Sequence, residues 1–301
     1  MRLVRYQSHE GPRLGVGVGE LIYDAVKLFE QAGERAPDVV VRADMKSICA
    51  APDAVVVYLA EHLPQLKLAQ SPDGQTCFAP GELKLLPPMP DPGKFICIGL
   101  NYQDHCDEQN KPRPERPILF GKYNNAIVGS GDDVIKSTVT EKLDFEGELA
   151  VVIGARAKRV KRANALDHVF GYTIVNDISA RDVQKSDVQF LRAKSQDTFA
   201  PMGPCIVTIH DIKNPQELTI RTTVNGQLLQ NSTTANMIFG VAELIEFISE
   251  GITLEPGDII STGTPAGVGV HRTPPILLQP GDVVQVEIGS IGSITNTIVA
   301  P

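Results

Sequence analysis

Apolar residues in this chain recur mainly in short blocks broken by Gly and Pro, with only a few stretches at helical spacing. Residues 3–6 and 14–18 read as strands joined by a Gly-containing turn, and residues 21–32 and 55–68 carry the three-to-four spacing of helices. Gly15, Gly17 and Gly19 lack the spacing and the Lys of a phosphate-binding loop, so they read as part of a hairpin. Residues 86–93 hold four prolines and a glycine, the composition of a linker. Beyond it the blocks become rich in Val and Ile. Residues 94–98, 148–153, 171–175 and 205–209 read as strands, and Val224-Asn225-Gly226-Gln227 signals a two-residue hairpin turn. Residues 237–249 read as a helix, and Pro256-Gly257-Asp258 and Pro280-Gly281-Asp282 as turns into strands. No internal repeat or low-complexity tract interrupts this pattern. The expected architecture is α+β and β-rich, with a small N-terminal α+β domain over residues 1–92 and a larger domain over 93–301.

Residues 143–153 add chemistry to the pattern. If they form one strand, the two-residue period puts Asp144, Glu146 and Glu148 on one face. Three like charges so close repel one another. They suit either a solvated strand edge or a hard cation. Asp177 follows another apolar block directly, where a rigid scaffold displays functional groups, although an Asp there reads equally as a helix N-cap. An all-oxygen set of this kind favours Mg²⁺, with Mn²⁺ or Ca²⁺ as alternatives, over zinc. His105 stands three residues before Glu108, neighbours on a helical turn. The Glu can orient the His as a general base, or the two can form a surface pair.

Composition excludes more than it selects. The 301 residues carry a formal net charge of -8 without a polybasic run, which argues against a nucleic-acid partner. An acidic substrate would need local cations or a metal to overcome that overall field. Five cysteines, none in a C-x-x-C pair, argue against a disulfide framework or structural zinc and fit a reducing compartment. The first residues lack the apolar run of a signal peptide and no stretch is long enough for a membrane span, so a cytoplasmic location is expected.

Five ordered segments carry a resemblance. They are Gly99-Leu100-Asn101-Tyr102-Gln103-Asp104-His105, Asp144-Phe145-Glu146-Gly147-Glu148-Leu149, Asn176-Asp177-Ile178-Ser179-Ala180-Arg181-Asp182-Val183-Gln184, Lys194-Ser195-Gln196-Asp197-Thr198-Phe199-Ala200-Pro201-Met202-Gly203-Pro204 and Thr262-Gly263-Thr264-Pro265-Ala266-Gly267-Val268-Gly269. From about residue 94 onward the sequence resembles the fumarylacetoacetate hydrolase family, nearest its acylpyruvase-like members. The resemblance implies a mixed β-sandwich roll. It also implies Glu146, Glu148 and Asp177 as ligands of Mg²⁺, with Asp144 outside that set. A further metal-site Asp of fumarylacetoacetate hydrolase proper is here Ile98, which points away from fumarylacetoacetate as substrate.

The same resemblance gives His105 and Glu108 as a water-activating pair, and Lys194 as the cation beside the substrate. Arg181, Gln184 and Thr264 become substrate contacts, and residues 109–117 a lid. The implied reaction is hydrolysis of a C–C bond in an acylpyruvate-type 2,4-dioxo acid through a metal-bound pyruvate enolate. The alternatives at the same site are enol–keto tautomerisation or decarboxylation of oxaloacetate, or isomerisation or decarboxylation in aromatic catabolism. A non-catalytic metabolite binder is the alternative of a different class. The expected partners are a small 2-oxo acid and a second copy of the chain, as a homodimer.

Overall fold

The Val/Ile blocks become the middle of one large sheet. In the computed structural model, which describes residues 1–69 and 71–301, strand Gly147–Ile153 is buried at every position. So is its antiparallel neighbour Val169–Asn176. Continuous burial means that both faces of these strands are covered, which explains why they read as solid apolar runs and not as alternations. One face of Gly147–Ile153 sends Leu149, Val151 and Ile153 toward Val286, Ile288 and Ile294 of a second, five-stranded sheet and toward Leu244, Ile245 and Ile248 of helix Val241–Gly251. The other face sends Ala150 and Val152 into a separate core with Cys97, Val175 and Ile259. Glu148 shares the parity of this second face, which buries its carboxylate beside the chain's main core.

The large sheet has twelve strands. Its centre runs Ala200–Thr208, Val169–Asn176, Gly147–Ile153, Ile259–Ser261 and Phe95–Gly99, the last two paired in parallel. Strand Arg2–Ser8 pairs with Ala200–Thr208 through Arg2↔Val207 and Leu3↔Ile206, so the N-terminal hairpin continues the same sheet. Gly171 allows the central ladder to close, because a Cβ there would lie 2.3 Å from the carbonyl oxygen of Val207.

Turn chemistry is as the sequence indicates. Asn225 and Gly226 both take positive φ between the paired strands Thr219–Val224 and Gln227–Thr233. Gly257 and Gly281 do the same before Ile259–Ser261 and Val283–Ile288. Three helix expectations are corrected. Residues 21–32 split into strand Leu21–Asp24 and helix Ala25–Gln31, because Asp24 accepts a hydrogen bond from the Lys27 amide and starts a helix there. Residues 55–68 are α-helical only over Val56–His62, and Pro64 lies in the 3-10 turn Leu63–Gln65 that ends the helix. The helix expected over 237–249 begins at Val241, after Gly240. The single strand expected across residues 143–153 is also broken. Leu143–Asp144 pairs instead with Ser179–Ala180, and Phe145 and Glu146 form an irregular link before Gly147.

Replacing Gly171 by Ala should force apart Val169–Asn176 and Ala200–Thr208. A loss of about 1–3 kcal/mol is expected from this overpacking, read as a lower denaturant midpoint with an unchanged slope.

Candidate active site

The end of the central ladder assembles the acids. Gly147 pairs with Asn176, and just beyond that pair the Asp177 amide donates to the Glu146 carbonyl at 2.8 Å. The Asn176 side chain accepts from the Glu146 amide at 3.0 Å. These two bonds hold Glu146 and Asp177 side by side, with Glu148 on the adjoining strand. Oxygens of the three carboxylates lie within 4.8 Å of one another, and all three residues are buried. The solvated edge and the helix cap are thereby set aside. Helix Arg181–Ser186 starts after Ala180, and Asp177 does not cap it.

Four buried carboxylates, counting Asp144, face three cations. Lys194 Nζ bridges Glu146 Oε2 at 2.5 Å and Asp177 Oδ2 at 2.9 Å. Lys122 Nζ lies 2.7 Å from Asp177 Oδ1 and also donates to the carbonyls of Ile178, Lys194 and Phe199. Arg181 reaches Asp144 Oδ2 at 2.8 Å and Glu146 Oε1 at 2.7 Å, and donates to Gln184 Oε1. Burial alone would raise the pKa of Glu146, but Arg181 and Lys194 overcome it and hold the group well below the usual carboxylate range. Burial would likewise lower Lys194, and Asp177 and Glu146 reverse that. Glu148 has no such partner. Burial and the neighbouring Asp177 and Glu146 push it far upward, although Ser261 and the Gly263 amide both donate to its Oε2.

This donor set fits a hard divalent cation. It is all oxygen, one carboxylate has no protein cation, and Asp177 Oδ1 accepts no well-directed hydrogen bond despite its proximity to Lys122.

His105 stands on helix Gln103–Glu108, which follows strand Phe95–Gly99 through a turn with Leu100 at positive φ. Asn101 pins that turn, donating to the carbonyls of Thr262 and Phe239 and accepting from the Phe239 amide. The Gln109 side-chain nitrogen donates to the His105 carbonyl and sits 2.8 Å from its Nε2. Nε2 is therefore an acceptor and Nδ1 carries the proton, donating to Glu108 Oε1 at 2.6 Å. Glu108 Oε2 accepts from the Gly267 amide at 2.9 Å, so the carboxylate that orients the imidazole is itself fixed. His105 is buried, which sets the surface-pair reading aside.

His105, Glu146, Glu148, Arg181, Gln184, Lys194 and Thr264 line one cavity of about 400 Å³. Glu108 and Asp177 support it from behind. Ile98, Phe120 and Phe190 form apolar walls, with Phe120 and Phe190 edge-to-face at 5.7 Å and Lys194 above the Phe120 ring. The glycine-rich turn after strand Ile259–Ser261 serves the protein's own acids. The amides of Gly263, Gly267, Gly269 and Val270 donate to Glu148, Glu108, Asp144 and Asp144 in turn. Thr264 reaches the cavity, with its hydroxyl donating to the Gly147 carbonyl and accepting from Gln230. Asp182 accepts from Thr140 and the Glu141 amide and does not pair with Arg181. Lys122, Gln109 and Asn101 are the functional neighbours that sequence reasoning missed as site residues. Asn101 lay inside a quoted motif, and Lys122 and Gln109 gave no local signal.

The sequence matches the family described as Fumarylacetoacetate (FAA) hydrolase C-terminal over residues 94–299. The chain belongs to the fumarylacetoacetate hydrolase family. Its similarity extends to the mitochondrial oxaloacetate tautomerase of Xenopus laevis, 40% identical over 301 residues, covering 99% of this chain and 90% of the relative. The oxaloacetate tautomerase YisK of Bacillus subtilis is 49% identical over 230 residues, covering 75% of this chain and 76% of the relative. A solved fumarylacetoacetate hydrolase from Exiguobacterium antarcticum superposes with a TM-score of 0.82 at 35% identity, over the full length of both chains. Membership makes this chain an enzyme of a metal-dependent family that acts on small molecules, and the buried triad is where a divalent metal could bind. Among the described residues no helix is long and apolar enough to cross a membrane. Relatives named as mitochondrial stand beside a bacterial one, which gives the expected cytoplasmic location no support.

Two outcomes follow for this family member. Lys122→Met leaves Asp177 with Lys194 as its cation and deprives three buried carbonyls of a donor, and should cost about 3–5 kcal/mol in denaturant unfolding. A divalent cation that binds the triad, at about a hundred times its dissociation constant, should add about 2.7 kcal/mol of stability, read as a rise in melting temperature that Glu148→Gln largely removes.

Proposed function

We propose that this protein is a divalent-cation-dependent oxaloacetate tautomerase, interconverting the enol and keto forms. The observation that carries the reading is the single cavity in which an oriented His105, the carboxylate triad and Lys194 converge. Relatives named oxaloacetate tautomerase, one of them matched across 99% of this chain, support it over the hydrolase that the sequence resemblance puts first.

Glu146, Glu148 and Asp177 would hold the cation, with Mg²⁺ our choice from the oxygen-only donors. When bound, it supplies Lewis-acid polarisation of a 2-oxo acid. The rest is the chain's own work. The reaction moves one proton between the 2-oxygen and C3, so no atom is gained or lost. His105 Nε2, the acceptor nitrogen, takes the proton from one of these two positions and delivers it to the other, once the Gln109 amide gives way to the substrate. Glu108 stabilises the imidazolium that forms and holds its orientation. Lys194 offsets the negative charge that develops on the 2-oxygen. Arg181 and Gln184, joined at 3.0 Å, present donors to the substrate's carboxylate, and Thr264 shapes the floor. Residues 109–117, rooted at Gln109, act as the lid that excludes water. We also keep the homodimer as our expectation.

One observation favours a second reading. The buried His105–Glu108 pair is equally suited to activate a water, which would make the enzyme an acylpyruvate hydrolase. A parallel assay separates the two. With Mg²⁺ present, enol absorbance of oxaloacetate should fall without release of pyruvate. His105→Ala should slow this by about 10²–10⁴-fold, and a chelator should abolish it. Pyruvate appearing with the matching acid from an acylpyruvate would instead make the enzyme a hydrolase, and pyruvate from oxaloacetate a decarboxylase.

A further inference from the structure

The charges inside the cavity are already committed. Lys194 is held by Glu146 and Asp177, and Arg181 by Asp144 and Glu146. Two further lysines line the same cavity, and both are exposed. Lys111 comes from the segment after helix Gln103–Glu108, and Lys185 from helix Arg181–Ser186. Among the described residues neither ammonium makes an ion pair or a hydrogen bond. They approach from different chain segments, each directly joined to site machinery. Lys111 stands two residues beyond Gln109, which touches the base, and Lys185 follows Gln184. The apolar walls of Phe120 and Phe190 offer no charge to either. In a chain of net charge -8, free cations opening onto one cavity are a local reversal of the overall field.

We propose that Lys111 and Lys185 form a second anion subsite at the mouth of the cavity, which binds the remote carboxylate of a dicarboxylic 2-oxo acid. The inference rests on the reading that the floor takes the 2-oxo acid end. It deepens that reading, because it assigns the substrate class to dicarboxylates and not to acylpyruvates with an apolar tail.

The test compares two ligands of equal chain length that differ by one carboxylate, 2-oxoglutarate and 2-oxopentanoate. Their binding to the full protein with Mg²⁺ is measured by calorimetry, which needs no turnover. Wild type should prefer 2-oxoglutarate by about tenfold, the scale of two exposed charge contacts. The double variant Lys111→Gln, Lys185→Gln should bring that ratio to about one, any effect on the lid being shared by both ligands and cancelling in the ratio. Raising salt from about 0.02 M to about 0.5 M should erode the ratio in wild type, a reading that requires no variant. A wild-type ratio near one, or a ratio unmoved by both the double variant and salt, overturns the subsite. If enol-oxaloacetate is not converted but the ratio collapses in the double variant, the tautomerase reading falls and the subsite stands. Turnover with an unmoved ratio removes the subsite alone.

Discussion

Everything at this site depends on keeping like charges together in the protein interior. Burying an ion costs several kcal/mol unless it is paired, and two carboxylates at this spacing repel strongly in a low dielectric. Lys122 shows how the fold meets that demand. Its ammonium touches Asp177 and three carbonyls from the segments that carry Ile178, Lys194 and Phe199. A single cation thus ties together the strand end bearing one acid and the helix bearing the second lysine. Lys194 then completes the bracket from the other side, reaching Asp177 and Glu146. Only Glu148 is left without a cation of its own, and that asymmetry gives the cluster its capacity for a divalent metal.

The backbone contributes a second layer of the same economy of charge. Four amides from the glycine-rich turn donate to Glu148, Glu108 and Asp144. This is how the base's partner and the Arg181 anchor become part of one rigid unit. Gly269 cannot carry a side chain here, because a Cβ would lie 1.8 Å from the Ile276 carbonyl and 2.7 Å from Asp144 Oδ1. Glycine at that position serves close approach of backbone to carboxylate, and Gly263 and Gly267 take positive φ to aim their amides.

Sequence legibility followed range. Strand periodicity put Glu146 and Glu148 on one face and chain position put Asp177 after an apolar block, but a solvated edge and a helix cap fitted as well, and the ligand set came from the resemblance. Helical spacing made His105 and Glu108 neighbours, and the resemblance gave them as a water-activating pair and not a surface one. Lys122 was not readable, because its partners lie 55 to 77 residues further along the chain and its neighbours Gly121 and Tyr123 carry no pattern. The face-sharing argument was right for Glu146 and Glu148 as neighbours but wrong in its premise of one strand. The break at Phe145 turns Asp144 toward Arg181 and the glycine turn, a long-range choice that alternation does not encode. Likewise residues 21–32 have apolar residues that satisfy both periods. The pairing of Leu21–Asp24 with Gly11–Val18 decided for strand where propensity did not.

On the proposed reading, the floor of the cavity supplies what a reaction through an enol of a 2-oxo acid requires: a cation site, an oriented base and a lysine for the developing oxygen charge. Those groups hold one another so tightly that little freedom is left in them to choose a substrate. Arg181 is held in place by Asp144 and Glu146, and Lys194 by Glu146 and Asp177, so each meets a ligand from one fixed position. On the proposed reading, discrimination falls to the apolar walls of Ile98, Phe120 and Phe190 and to the unpaired lysines at the mouth. The walls reward length and apolar area, and the lysines reward charge. A dicarboxylate offers these walls less apolar area than an acyl chain does, so under the proposed subsite its selection rests on charge at the far end.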